Sequence, residues 1–191
     1  MRHGVTLLLA LLLGAAALAE TRMTAPVEII DFRSAPGTWY RVNDGVMGGL
    51  SESGMTLEEG RPGVFSGRLS LENNGGFASV RTRLPELDLS DQEGIELKVR
   101  GDGRTYQLRF RMDENFDGAA YRALFTTEEG AWMTVRLPFT AFEPTFRGRI
   151  LDGYPPLDPA RLAQLTFMVA DKKAGPFKLE IDWVRAYRLQ E

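Results

Sequence analysis

Oxygen-bearing side chains set among glycines are the first candidates for chemistry in this sequence. Residues 42–53 read VNDGVMGGLSES, directly after Trp39 and Tyr40. Asn43, Asp44 and Ser51 supply polar contacts, Met47 an apolar one, and Gly48 and Gly49 let a ligand or another backbone approach closely. The segment is not a phosphate loop, because it lacks GK[ST] and a strand-to-helix setting. Two readings stay open. The loop closes one end of the fold with Trp39 and Met47 plugging the core, or it forms the lip of a binding surface with Asp44 and Ser51 as contacts.

A second constellation is Asn73-Asn74-Gly75-Gly76-Phe77, where an Asn-Gly turn enters a strand carrying Ser79, Arg81 and Arg83 on one face. Arg81 either staples Asp44 or Glu72, or uses its planar fork to hold a carboxylate or a sugar hydroxyl. Arg109, Arg111 and Arg122, together with Glu180 and Asp182 from another strand, are expected on the wet face of one sheet. That face is either simply solvated or a surface for a polymer.

Asp113-Glu114-Asn115-Phe116-Asp117-Gly118 opens like a calcium loop, with Asp113, Asn115 and Asp117 at alternating ligand positions. The twelfth position, where a bidentate Glu belongs, is Leu124, so an acidic turn without metal is the expectation. Glu180 and Asp182 sit at the ~7 Å spacing of alternate strand residues. That pattern is too generic to make a glycosidase pair. There is no cysteine, and the single histidine is His3. Ser-His-Asp and Cys-His catalysis, a redox CxxC and ordinary zinc sites are thereby excluded past the first residues, and the expectation is a protein without enzymatic activity or cofactor.

These residues need elements to hold them. MRHGVTLLLALLLGAAALAE reads as a secretory signal peptide: a charged start, the leucine-rich run Val5 to Ala16, then Ala17-Leu18-Ala19 before cleavage at residue 19. The run is short for a membrane anchor, which takes roughly 20 residues. The expectation is therefore a secreted, exported chain with a periplasmic destination, no transmembrane segment after cleavage, and one domain over residues 20–191. With 26 acidic against 23 basic side chains the net charge is −3. So mildly acidic a surface speaks against nucleic acid, which requires a basic stripe.

Strand signals dominate the rest. GIELKVRG (94–101) and RTYQLRFRM (104–112) each alternate apolar and polar residues, and Gly101-Asp102-Gly103 between them reads as a hairpin turn. In the run from Pro176 to Leu189, period two puts Phe177, Leu179, Ile181, Trp183, Tyr187 and Leu189 on one face. Further strands are expected near 27–32, 38–42, 62–71, 76–84, 119–127, 131–138 and 164–170. The only helical signal is LDPARLA (157–163), with Asp158 as N-cap and Pro159 first. The fold class expected is an all-β sandwich of jelly-roll type.

The run WYRVNDGVMGGLSES resembles the signature of the complex I intermediate-associated protein 30 family. FSGRLSLENNGGFASVRTR (65–83), GDGRTYQLRFR (101–111), WMTVRLPFTAFEPTFRGR (132–149) and DKKAGPFKLEIDWV (171–184) extend the resemblance in the family's order, over about residues 27–188. The resemblance implies a galactose-binding-domain-like sandwich and an assembly factor or chaperone that binds a protein partner, such as a membrane or respiratory complex. A carbohydrate-binding module of the cell envelope is the alternative. Trp39, Tyr40 and Tyr106 open to solvent would favour sugar; the same rings buried would favour the structural reading.

Overall fold

A computed structural model describes residues 26–115 and 117–188. The expected leader over 1–19, and Leu189, lie outside the described residues. Thirteen strands form in chain order: β1 (Val27–Asp31), β2 (Tyr40–Arg41), β3 (Glu52–Thr56), β4 (Gly63–Leu69), β5 (Ala78–Arg83), β6 (Gly94–Arg100), β7 (Thr105–Arg111), β8 (Ala120–Thr126), β9 (Trp132–Pro138), β10 (Glu143–Phe146), β11 (Arg149–Ile150), β12 (Gln164–Val169) and β13 (Gly175–Tyr187). One sheet runs β3-β4-β13-β6-β9, with β1 also on β13; the other runs β11-β10-β8-β7-β12-β5-β2. Every strand pair is antiparallel. Among the described residues no helix is long and apolar enough to cross a membrane.

Alternation builds the core between the sheets. Phe65, Leu97, Val99, Leu179 and Ile181 point in from one sheet, and Leu108, Phe110, Leu165 and Phe167 from the other, all fully buried. Burying each such side chain stabilises the fold by roughly 1.5–3 kcal/mol. Trp39 closes the layer at one margin, stacked on Phe32 at 5.5 Å and Phe167 at 5.8 Å. Pro159–Arg161 forms one short turn, with the Asp158 carboxylate accepting from Ala160 N at 3.1 Å, as its sequence signals.

Three expectations are corrected. The segments around Gly101-Asp102-Gly103 are not a hairpin, because β6 pairs with β9 and β13 while β7 pairs with β8 and β12. The connection crosses between sheets, held by Asp102, which accepts from Lys178 N at 2.8 Å and from the Tyr106 hydroxyl at 2.9 Å. Trp183 does not continue the buried face of β13. A bulge between Ile181 and Trp183 reverses the alternation, so Val184 and Ala186 turn inward and Arg185 covers the Trp183 ring at 4.4 Å. Glu180 and Asp182 do not share a sheet with Arg109, Arg111 and Arg122: they lie on β13, where Glu180 pairs with Arg100 and Asp182 with Arg33.

Candidate functional site

The glycine-rich segment is organised around one carboxylate. Asp44 begins a short 3-10 turn, Asp44–Met47, which Gly48 ends in the left-handed region at φ 88°. Its side chain is wholly buried. Oδ1 accepts from Ser51 N at 2.9 Å; Oδ2 accepts from Ser51 Oγ at 2.5 Å, Gly76 N at 2.7 Å and Phe77 N at 3.3 Å. Burial opposes the charge, but these donors outweigh it and hold the Asp44 carboxyl below the usual aspartate range. The two constellations of the sequence are thus one site, in which an anion gathers the orphan N–H groups of a second loop.

Two of the glycines, Gly49 and Gly75, are explained by the same carboxylate. A Cβ on Gly49 would stand 2.4 Å from Asp44 Cγ, and one on Gly75 would stand 2.7 Å from Oδ2. Asn43 repeats the arrangement beside it, accepting from Ser53 Oγ at 2.6 Å and Ser79 N at 3.1 Å. Ser51 Oγ also accepts from Ser70 N at 3.0 Å, which ties in the end of β4. Asn74 sits at φ 62° in the turn that presents Gly75 and Gly76 to Asp44. Of the two carboxylates that Arg81 is expected to staple, Asp44 or Glu72, Asp44 takes its hydrogen bonds from Ser51, Gly76 and Phe77; Arg81 lies on β5, facing outward.

Met47 does not plug the core. It is 58% exposed, and Leu50 (55%) and Leu71 (45%), neither singled out by sequence, flank the same loops. Trp39 does pack against the core, and Tyr106 is fully buried, leaving Tyr40 as the open ring of the three. A shallow depression of about 430 Å³ beside Asn43 is lined by Arg41, Glu52, Ser53, Gly67 and Arg68. Arg109 and Arg111 stand together on the outer face of β7, away from the Asp44 cluster. In the acidic turn, Asp113 accepts from Asn115 N at 2.9 Å and Asp117 pairs with Arg147 at 3.3 Å. Among the described residues no three His, Cys, Asp or Glu side chains converge as metal ligands.

The profile of the family described as complex I intermediate-associated protein 30 matches residues 30–181. The chain is 29% identical over 169 residues to the mitochondrial complex I intermediate-associated protein 30 of Mus musculus, covering 78% of this chain and 52% of that protein. It is 29% identical over 181 residues to the Drosophila melanogaster protein of the same name, covering 82% and 61%. The chain therefore spans about half to three-fifths of these relatives' length. Neither name is that of an enzyme. Both relatives are named mitochondrial, which overturns the expectation of a periplasmic, exported protein. Among solved structures, the family 11 carbohydrate-binding module from Clostridium thermocellum, in complex with a β-1,3-1,4-mixed-linked tetrasaccharide, superposes with TM-score 0.65 at 17% identity, over 88% of this chain and 99% of the module. At that identity the likeness shows the jelly-roll fold alone.

Proposed function

The chain belongs to the complex I intermediate-associated protein 30 family, and on that premise we propose that it is a non-enzymatic assembly factor that binds a protein partner, a subunit or assembly intermediate of a membrane complex. The observation that carries the reading is the apolar rim of the Asp44 cluster. Met47, Leu50 and Leu71 stand exposed on loops that buried hydrogen bonds hold rigid. Unbranched, polarizable Met and neighbouring Leu on a preorganised loop suit protein recognition, because little ordering entropy is lost on binding. The packing of Trp39 against the core and the full burial of Tyr106, which leave Tyr40 as the open ring of the three, support this reading over a sugar platform, which requires several open rings.

The test is capture after cross-linking in the native cells, with wild type compared against Met47→Asp and Leu50→Asp. Both side chains are exposed, so the variants should keep the wild-type unfolding midpoint. Recovery of subunits of one membrane complex by wild type, reduced at least about tenfold in the variants, is the expected result. Equal recovery by variants and wild type would remove the loop rim from the function. Recovery of abundant bystanders alone would overturn the assembly reading.

A further inference from the structure

Across the seven-stranded sheet, register pairing aligns one row on the outer face: Tyr40, Arg81, Thr166, Arg109, Arg122 and Glu143, from β2 to β10. Strands lie ~4.8 Å apart, so Arg122 is one strand from Arg109 and Arg81 two strands away on the other side. Arg109 donates to Thr145 Oγ1 at 2.6 Å and reaches Met168 Sδ at 3.1 Å, both neutral. Burial and the charges of Arg111, Arg122 and Arg81 push its pKa down to about 10. Burial, helped by Arg111, does the same to Arg81, again to about 10. A half-buried cation surrounded by cations and bonded to a thioether and a hydroxyl is costly for a free protein.

Two buried acceptors flank the row. Among the described residues, Gln107 Oε1 and Gln164 Oε1 have no hydrogen-bond partner, although the two residues are only 8% and 1% exposed. They sit beside Met168 and Arg111, four strand positions apart, which is about 13 Å or the reach of four extended residues. Acidic groups bound the row: Glu143 pairs with Arg122 at 3.4 Å, and Asp113 and Asp117 act on Arg111. The positive centre is therefore compact, sized for one or two carboxylates. The outer positions of β7, β8 and β12 hold no aromatic ring on which a neutral sugar could stack, and Tyr40, the ring in the row, stands three strands from Arg109 at the sheet edge.

We infer that this face binds an extended acidic segment of the protein partner, with an Asp or Glu carboxylate seated on Arg109 and backbone N–H groups donating to Gln107 and Gln164. The inference rests on the reading of a protein-binding assembly factor and adds a second contact surface to the loop rim. Charge complementarity favours it: the guanidinium fork matches a carboxylate, and the unpartnered carbonyls match peptide donors.

The experiment uses the full chain labelled at its methionine methyl groups, with the Met168 resonance assigned through Met168→Leu. A fluorescein-labelled hexaglutamate peptide is titrated, alongside hexaglutamine and oligogalacturonate. Expected are a shift of the Met168 methyl with hexaglutamate, none with hexaglutamine, and affinity at least about tenfold weaker in Arg109→Gln. Arg136→Gln, which alters an arginine paired with Glu96 on the other sheet, should bind like wild type. A silent Met168 resonance, or equal affinity in Arg109→Gln, overturns the site. So does oligogalacturonate moving Met168 at lower concentration than the peptide, since the occupant would then be an acidic glycan. A silent Met168 with capture still lost in Met47→Asp overturns this face and leaves the loop rim standing.

Discussion

Gly49 and Asp44 approach so closely that a Cβ at Gly49 would lie 2.4 Å from the carboxylate carbon. The contact fixes how the loop folds, because the carboxylate must occupy the space a side chain would take. Gly49→Ala should destabilise the protein by about 1–3 kcal/mol through overpacking. Gly45→Ala, where nothing lies within 4 Å, should stay within about 0.5 kcal/mol. Chemical denaturation of both variants checks the contrast; equal losses would mean that the loop yields around Asp44.

Asp44→Asn keeps the shape and removes the charge. The amide turns a donor group toward N–H groups of Ser51, Gly76 or Phe77 that now point at Asp44. Buried hydrogen bonds to a charged group contribute about 1.5–3 kcal/mol each. A total loss of about 2–4 kcal/mol is expected, with hydrogen exchange at Gly76 and Phe77 accelerated before the rest of β5. Exchange rates unchanged at those two amides would refute the keystone role.

The strands with regular alternation were legible because each buries one face: β6, β7 and the first half of β13 follow the pattern of their residues. Pairing was not. Gly101-Asp102-Gly103 looks like a hairpin locally, but the partners of β6 and β7 are chosen by distant strands and by the hold of Asp102 on Lys178. The short strands β3, β10 and β11, at or next to the sheet edges, were missed because short margins bury too little to alternate. Asp44 was legible as a polar loop residue. Its buried role was not, since two of its donors, Gly76 and Phe77, lie 32 and 33 positions away. Likewise Arg109 was visible in its strand, whereas its alignment with Arg81 and Arg122 exists only once the register is set.

Acid should find the carboxylates that the fold holds ionised. Asp44 and Asp171 are both depressed below the usual aspartate range: burial opposes each charge, and Ser51 with Gly76 for the first, Arg104 with Lys173 for the second, outweigh it. Their contribution is complete above the unfolded-state value of about 3.9 and is lost as pH falls through the lower folded values. Thermal midpoints measured down the acid range should fall steeply below about pH 4 in wild type and less steeply in Asp44→Asn. Parallel acid limbs in the two proteins would show that Asp44 carries no linked proton.

Arg104 and Asp171 lock the same end of the sandwich as Asp44 with a buried two-bond pair, Nε to Oδ2 at 2.9 Å and Nη2 to Oδ1 at 2.7 Å, while Arg104 also donates to Pro176 O at 2.9 Å. Asp171→Ala leaves the guanidinium buried without its anion and should cost about 3–5 kcal/mol. Arg104→Met/Asp171→Leu should recover part of that loss, since no lone charge is left, though the carbonyl of Pro176 is stranded. Urea unfolding of the single and double variants decides it; a double variant worse than the single one would show that the pair itself, rather than the lone charge, dominates.

Arg109→Met tests the opposite sign. The guanidinium sits among the charges of Arg81, Arg111 and Arg122, and losing it strands no partner, because Thr145 Oγ1 keeps its bond to Ala120 O at 2.8 Å. Methionine would lie beside Met168 and remove a desolvated cation, a change that stabilises by about 1 kcal/mol or more where buried ions give way to apolar groups. For a chain of this size that is a rise of about 2–4 °C in the unfolding midpoint. The gain should shrink in high salt, which screens the repulsion in wild type. Arg136→Met, which breaks a pair with Glu96 at 2.7 Å, should not rise. A higher midpoint combined with lost hexaglutamate binding would mean that Arg109 is kept at a cost in stability for the sake of its ligand. A midpoint lowered by several degrees would mean that the arginine row is balanced in the free protein and needs no anion.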